Sequence, residues 1–585
     1  MKIRILIFLI LPVVTIVSTG GIYLLEGSGD SAFSSLFNSL WWTVVTVTTV
    51  GYGDMSPVTV NGKIFGMMIL AGGVIINSII ISLVSDWFFT FRSARYHGLK
   101  AIDIKEHILI CSDDTHFINS IIHENLRFYH SNKIVIVSSF KEHPLLTTPY
   151  EKTQWVSGLP YNTDILKKAS VQHVHIAYVS FKDDSETVLT VMQIENLTGG
   201  DALTMALDND SEYHKHLQNV GCDYALNPYD IYVPLMVQAY QGPGAPTLIR
   251  EIILRGENTP TIESVKIPSS FDNRPWMEYI LACKKDFNQI PLALVDKEGI
   301  EYTNPSSQKP IPPQSRALNL VSPKGGYRAD KKDGTGIPGL AERLPTGHIL
   351  VCADQEVFIR RILVELELAG IDDEIYVLSK LRRLPDLSGD SRVQWIHTKI
   401  SSDAGYYQAR VKEAKIAFVD HEQDNHTLME VLRLENLTDG KIFTIASFQG
   451  SETGKRLEEA GCDFILNADE LTAPILSQAA IHQGVGRLIE EIISQDPQSE
   501  SMIVRQLHHD WKERSWLETV TFLKSKQDYL AISLIKKGKT SLIINPSSET
   551  RVHSGDSLLF IAKTQKFARH QNKSQKKPVK KLSIL

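Results

Sequence analysis

Seven consecutive residues, Thr48, Thr49, Val50, Gly51, Tyr52, Gly53 and Asp54, join hydroxyls, glycines and a carboxylate in an order suited to stripping water from a cation. Gly51 and Gly53 reach backbone angles that other residues avoid, so successive carbonyls can point the same way toward an axis. Rings of oxygens from Thr49, Val50, Gly51 and Tyr52, with the Thr49 hydroxyl innermost, replace the water shell of a dehydrated potassium ion. One copy cannot close a ring. The segment therefore demands several chains around one axis, a homotetramer or a set of similar subunits.

Such a loop needs a low-dielectric setting, and the flanking sequence supplies one. Ile3 to Leu25 is almost wholly apolar and long enough to cross roughly 30 Å of hydrocarbon. A second apolar run, Gly62 to Phe91, is followed by Arg92, Arg95 and Lys100, whereas the intervening segment carries Glu26, Asp30 and Asp54. The positive-inside rule then puts both ends of this region in the cytoplasm of a cell inner membrane protein that crosses the bilayer more than once. A signal peptide is the rejected alternative, because no small-residue cleavage site follows the run. Between the spans, SAFSSLFNSLWWTVVTV is too short to cross and too apolar for a solvated loop, so it is expected to be re-entrant.

The stretch SLWWTVVTVTTVGYGDMSP resembles the pore of two-transmembrane bacterial potassium channels. The resemblance covers Ile3 to about Phe89. It implies that Thr48 to Asp54 form the selectivity filter, that Trp41 and Trp42 pack around Tyr52 as a cuff, and that Gly73 is a gating hinge in the inner helix. Small-residue helix packing is the equal alternative for Gly73. Val45 stands where some relatives carry a glutamate behind the filter.

Most of the remaining chain repeats itself at a spacing of about 240 residues, in constant order. HILICSDD at His107 pairs with HILVCADQ at His348, ENLTGG at Glu195 with ENLTDG at Glu435, GCDYALN at Gly221 with GCDFILN at Gly461, and NPSS at Asn304 with NPSS at Asn545. Each copy alternates apolar strands with amphipathic helices, such as Phe117 to Tyr129, and so predicts an α/β Rossmann-like parallel sheet. Each ends in a small α+β lobe. A pore module followed by two such copies resembles prokaryotic channels with tandem RCK (regulator of potassium conductance) domains, of the TrkA-N kind. The resemblance implies a cytoplasmic gating ring of eight domains per tetramer. The expected boundaries are a pore module at 1–95, a first RCK domain at 96–330, a linker at 331–343, a second RCK domain at 344–565 and a basic, disordered tail at 566–585.

The dinucleotide fingerprint needs glycines after the first strand and a later acid for the ribose. Both copies fail it, with Asp113, Asp114 and Asp354 where phosphate would sit. A catalytic dehydrogenase is therefore not expected. A regulatory adenine nucleotide, ADP or NAD, remains open at a modified crevice using Ser112 and Asp113, or Arg360, Arg361, Arg382 and Arg383; the alternative is arginines on a solvated helix face and turn. DSET at Asp184 matches a motif that supplies a calcium ligand in calcium-gated relatives, with Asp208 and Asp210 near, but not at, the family's other carboxylate positions. Helix capping by Asp183 or Asp184 and by Asp208 and Asp210 explains the same residues.

Composition agrees with these expectations. The 585 residues carry a formal charge of only −6, so nothing global points to nucleic acid as a partner. The five cysteines, Cys111, Cys222, Cys283, Cys352 and Cys462, lack CxxC spacing, which argues against a disulfide framework and a zinc–thiolate site. No Cys/His or Ser/His constellation suggests an enzyme. The rival reading is a membrane-anchored nucleotide-binding regulator or enzyme that does not conduct.

Overall fold

The computed structural model describes residues 2–28, 31–96, 98, 101–128, 133–141, 144, 153–241, 244–254, 259–323, 326–329, 347–382, 390–399, 402–450, 452–482, 484–539 and 541–563. The expected tail and linker lie outside these residues. The chain forms two compact units, one of residues 1–100 with 141–143 and one of the remainder.

The first unit is helical. An outer helix, Lys2–Glu26, and an inner helix, Val60–Tyr96, flank the short helix Leu36–Val47, which begins where Ser35 caps the backbone N–H of Phe37. Ile22, Phe33, Trp42, Val47 and Ile69 form the apolar contact among the three helices. At the outer helix's end the Glu26 carboxylate accepts hydrogen bonds from the Val58 and Thr59 backbone N–H groups at 3.2 and 2.8 Å. An acid there caps the N-terminus of the inner helix, where orphan donors and the helix dipole favour negative charge.

The second unit holds both sequence repeats. The first sheet has six parallel strands, β1 (His107–Ser112), β2 (Ile134–Ser138), β3 (Thr153–Ser157), β4 (Val174–Ser180), β5 (Leu203–Leu207) and β6 (Tyr224–Leu226), in the order β3-β2-β1-β4-β5-β6. Its first lobe is an antiparallel sheet of β7 (Thr261–Lys266), β8 (Gln289–Val295), β9 (Glu301–Thr303) and β10 (Arg316–Val321). After a short strand β11 (Tyr327–Ala329), the second parallel sheet repeats the topology with β12 (His348–Ala353), β13 (Ile375–Ser379), β14 (Val393–His397), β15 (Ala414–Asp420), β16 (Phe443–Phe448) and β17 (Phe464–Asn467). The second lobe contains β18 (Glu500–Gln506), β19 (Arg514–Ser515), β20 (Leu530–Ile535), β21 (Leu542–Ile544), β22 (Arg551–Val552) and β23 (Ser557–Lys563). Strands buried on both faces explain the continuous apolar runs of β1 and β12. β11, within the stretch expected to belong to the first RCK domain, pairs antiparallel with β21 and so joins the second lobe.

The halves are interlocked. The first helix of one repeat, Thr115–Phe128, packs on the last Rossmann helix of the other, Ala468–Ile481, and Glu356–Leu368 packs on Pro228–Gln241 in the same way. One apolar core runs through both. The two lobes exchange buried lysines as well: Lys284 donates to Asn545 of the second NPSS turn, and Lys524 donates to Asn304 Oδ1 of the first at 2.7 Å.

Candidate ion path and ligand crevices

The short helix Leu36–Val47 hands the chain directly to the filter segment. The Val45 carbonyl, near its C-terminus, accepts from the Val50 N–H at 3.0 Å and the Gly51 N–H at 3.3 Å. Thr49, Gly51 and Gly53 have φ of 61°, 59° and 74°, so alternate residues take the left-handed region. That alternation turns successive carbonyls toward one side, which is what a line of cation-coordinating oxygens requires. A Cβ built on Gly51 or Gly53 meets nothing within 4 Å, so conformation, not space, selects glycine there.

Trp41 stacks on Tyr52 with centroids 5.8 Å apart and donates from Nε1 to Asp54 Oδ2 at 2.9 Å. These contacts fix Tyr52 and Asp54 against the short helix. Within one chain Trp42 does not share this role: it is buried edge-on against Phe33, 5.6 Å away. Val50 and Tyr52 are 54% and 67% exposed in a single chain. Gly73 lies against the end of the short helix, its notional Cβ 3.0 Å from Val47 Cα, while Gly72 faces open space. The inner helix is unbroken at both positions, and Gly73 lies at a close helix contact.

In the first Rossmann copy, the expected calcium residues meet protein donors. The Asp184 carboxylate accepts from Asn209 N–H, Asn209 Nδ2 and Asp210 N–H at 2.8 to 3.0 Å. Burial pushes its carboxyl upward, against those hydrogen bonds. Asp183 caps the helix Asp184–Thr198, and Asp210 caps Ser211–Asn219. Asp208 faces His214 Nδ1 at 3.0 Å and Asn227 Nδ2 at 2.9 Å. Capping thus accounts for Asp183 and Asp210. Ser112 Oγ accepts from Asp114 N–H, and Asp113 is bound by the N–H and hydroxyl of Ser139.

The second copy offers a different crevice. At the carboxyl ends of β12 to β15, the switch point where strand order reverses, a cavity of about 430 Å³ opens beside Asp354, Lys380, Lys399, Tyr406, His421 and Arg433. His421, only 4% exposed, sits between Asp354 Oδ1 at 3.5 Å and Glu430 Oε2 at 3.6 Å. Burial alone lowers an imidazole, but the two carboxylates raise this one to about 9. Burial opposes ionisation of Asp354 too, yet His421, the Lys380 ammonium at 2.8 Å and the Glu422 N–H hold its carboxyl well below the usual range. Tyr406 donates to Glu430 at 2.5 Å. Next to them Asp420, pushed up to about 6 by burial, accepts from Ser447 and from Tyr232 of the first half.

The nominated nucleotide residues do not gather. Ser112 and Asp113 belong to the first sheet, and the arginines to the second. Arg360 pairs with Glu356, and Arg361 turns to Asp230 of the first half and Glu365. Arg382 is exposed beyond β13, and Arg383 lies outside the described residues. Sequence reasoning missed Lys380, Lys399, His421 and Arg433 as a group. A signal was available: 240 residues earlier, the repeat has Leu166, Phe181 and Thr190 where Tyr406, His421 and Glu430 line the cavity. The first two are core residues there.

Comparison with known proteins agrees with this architecture. Residues 9–90 match the ion channel family model and residues 118–228 the TrkA-N domain model. The calcium-gated potassium channel TvoK of Thermoplasma volcanium is 25% identical over 238 residues, 39% of this chain and 66% of TvoK. The voltage-gated potassium channel Kch of Escherichia coli is 22% identical over 217 residues, 36% of this chain and 50% of Kch. Human potassium voltage-gated channel subfamily A member 7 is 46% identical over 72 residues, 12% of this chain and 16% of its own length. The chain thus spans between about one sixth and two thirds of these curated relatives. Among solved structures, the GsuK channel aligns with a TM-score of 0.50 at 17% identity over 98% of this chain and 99% of its own. The human SLO3 gating ring aligns with a TM-score of 0.59 at 12% identity, over 78% and 99% respectively. Both are likenesses of fold.

Proposed function

We propose that this chain, which joins an ion-channel pore module to paired TrkA-N-type Rossmann domains, is one subunit of a potassium-selective channel. Four copies form a homotetramer in the cell inner membrane, and eight Rossmann domains form a cytoplasmic ring that gates it without chemical turnover. The observation that carries the reading is the left-handed backbone at Thr49, Gly51 and Gly53, immediately after a short apolar helix. The exposed Val50 and Tyr52 of a single chain support closure by neighbouring copies. Flux from liposomes holding purified tetramers tests it: potassium passes in preference to sodium, and an equal flux of both ions would sink the reading.

The gating ligand is assigned to the second crevice. Its volume suits an adenine nucleotide such as ADP or NAD, Lys380, Lys399 and Arg433 supply cations for phosphate, and Tyr406 and Met429 supply apolar surface. Asp420 and Tyr232 give the crevice a contact with the other half. Moving a pore from 1% to 99% open takes about 5.5 kcal/mol of differential binding, which four sites each discriminating about tenfold between states provide. Calorimetry of the full-length protein with ADP and NAD is the test, and absence of heat at millimolar ligand rejects the assignment.

A calcium role for Asp184, Asp208 and Asp210 is the second reading, favoured by the likeness to a calcium-gated channel. Binding there displaces the Asn209 and Asp210 donors from Asp184. Asp184→Asn then shifts the calcium response and leaves ion selectivity unchanged; an unaltered calcium titration rejects it.

A further inference from the structure

The turn between β18 and β19 gathers metal-ligating side chains that neither the pore nor the crevices use. His508, His509 and Asp510 lie in succession, with their ligand atoms all within 4.8 Å of one another. The Asp510 carboxylate faces both rings, Oδ2 at 3.3 Å from His508 Nδ1 and Oδ1 at 3.2 Å from His509 Nε2. Donors bound at about 2.0 to 2.1 Å to a tetrahedral zinc stand about 3.3 Å apart; each imidazole–carboxylate pair has that spacing, through a different oxygen of Asp510.

The turn that carries them is anchored. Trp511 N–H donates to the His508 carbonyl at 3.0 Å, the Trp511 ring packs edge-on to Phe522 at 5.9 Å, and the Arg514 guanidinium lies 4.1 Å from the Phe522 ring. A second turn adjoins it: Leu507 N–H donates to the Asp556 carbonyl and Gly555 N–H to the Leu507 carbonyl. That neighbour brings in His553, whose Nδ1 is 3.6 Å from Glu513 Oε2. In the first repeat the positions 240 residues earlier are Pro268, Ser269 and Ser270, which offer no imidazole or carboxylate. The donor set belongs to the second lobe alone.

We infer that His508, His509 and Asp510 form a surface site for a divalent transition-metal ion of the zinc class. Two imidazoles and one carboxylate suit zinc, cobalt or nickel and not calcium or magnesium, which prefer oxygen donors. The fourth position is left to water.

Cobalt(II) titrated into the full-length, tag-free protein in detergent tests the inference, with visible d–d absorption and equilibrium dialysis as readouts. The wild type takes up one ion per chain at this site, zinc displaces it, and the His508→Asn/His509→Asn double variant and Asp510→Asn each bind at least tenfold more weakly. His508, His509 and Asp510 are 51%, 78% and 65% exposed, so these variants retain the fold, which an unchanged far-ultraviolet circular dichroism spectrum checks. Equal binding by the wild type and the double variant, or no uptake by the wild type at 100-fold excess over protein, overturns the inference.

Discussion

Lys284 is 1% exposed, and its ammonium faces three neutral acceptors: Asn545 Oδ1, Asn288 Oδ1 at 2.6 Å and the Pro546 carbonyl at 2.6 Å. Its repeat partner Lys524 has a carboxylate as well, Asp528 Oδ1 at 3.5 Å, where Lys284 has Asn288. Burial lowers Lys284 from 10.5 to about 7. The unfolded chain therefore binds more protons than the folded one between these values, and the stability contributed by this site rises with pH across that window. At 1.36 kcal/mol per pKa unit, the rise from pH 7 to pH 10 is about 4 kcal/mol. Lys284→Met keeps the length of the side chain and removes the titration. At pH 10 the variant is the less stable, by about 2 to 4 kcal/mol, because buried acceptors lose their donor. Toward pH 7 the gap closes. Urea unfolding of the full-length protein, read by tryptophan fluorescence with Trp276 and Trp516 as buried reporters in the lobes, measures it. With a slope of about 2 kcal/mol per M, the gap in midpoint between wild type and variant changes by about 2 M across the window. Other groups titrate equally in both proteins and cancel in the difference. A gap that stays constant with pH refutes the reasoning.

Three further outcomes follow from the geometry. Gly73→Ala drives a methyl group to 3.0 Å from Val47 Cα and costs about 1 to 3 kcal/mol of helix packing, whereas Gly72→Ala meets open space; thermal stability of the tetramer in detergent separates them, and equal effects favour the hinge. Gly51→Ala fits sterically but places a side chain at φ of 59°, a strain of about 1 to 2 kcal/mol, so potassium-over-sodium permeability falls in reversal-potential recordings. His421→Phe, which installs the first repeat's residue, leaves Asp354 and Glu430 without the imidazolium between them; phosphate-bearing ligands then bind the crevice at least tenfold more weakly in calorimetry.

The sequence displayed the parts whose signals are local. Apolar runs predicted the two long helices, the filter residues predicted a backbone of alternating hand, and the repeat predicted two like sheets. The helix expected at Phe117 to Tyr129 is Thr115–Phe128. What stayed hidden depends on contacts hundreds of residues apart. Arg361 reads as a solvated helix residue until its partners, Asp230 and Glu365, are known. Lys284 and Lys524 likewise look like surface lysines, because nothing nearby announces an asparagine from the other lobe. β11 pairs with β21 of the second lobe, and a three-residue strand carries too little periodicity to reveal that neighbour. Trp42 packs on Phe33 in the apolar contact among three helices, a neighbour nine residues away in sequence that the local pattern does not announce.

The interlocking of the two halves has a consequence for how such a chain can change over generations. In a pair of identical subunits every substitution is made twice, so a histidine placed in one sheet's core is imposed on both. Fusing the copies into one polypeptide fixes their partnership at one to one and makes each position independent. One copy can then keep Phe181 and Leu166 as ordinary core while the other accepts His421 and Tyr406 beside a cavity. The helices and lysines that cross between them keep the pair from separating. Duplication followed by fusion thus frees one partner to acquire chemistry that its twin, still needed for support, does not have to tolerate.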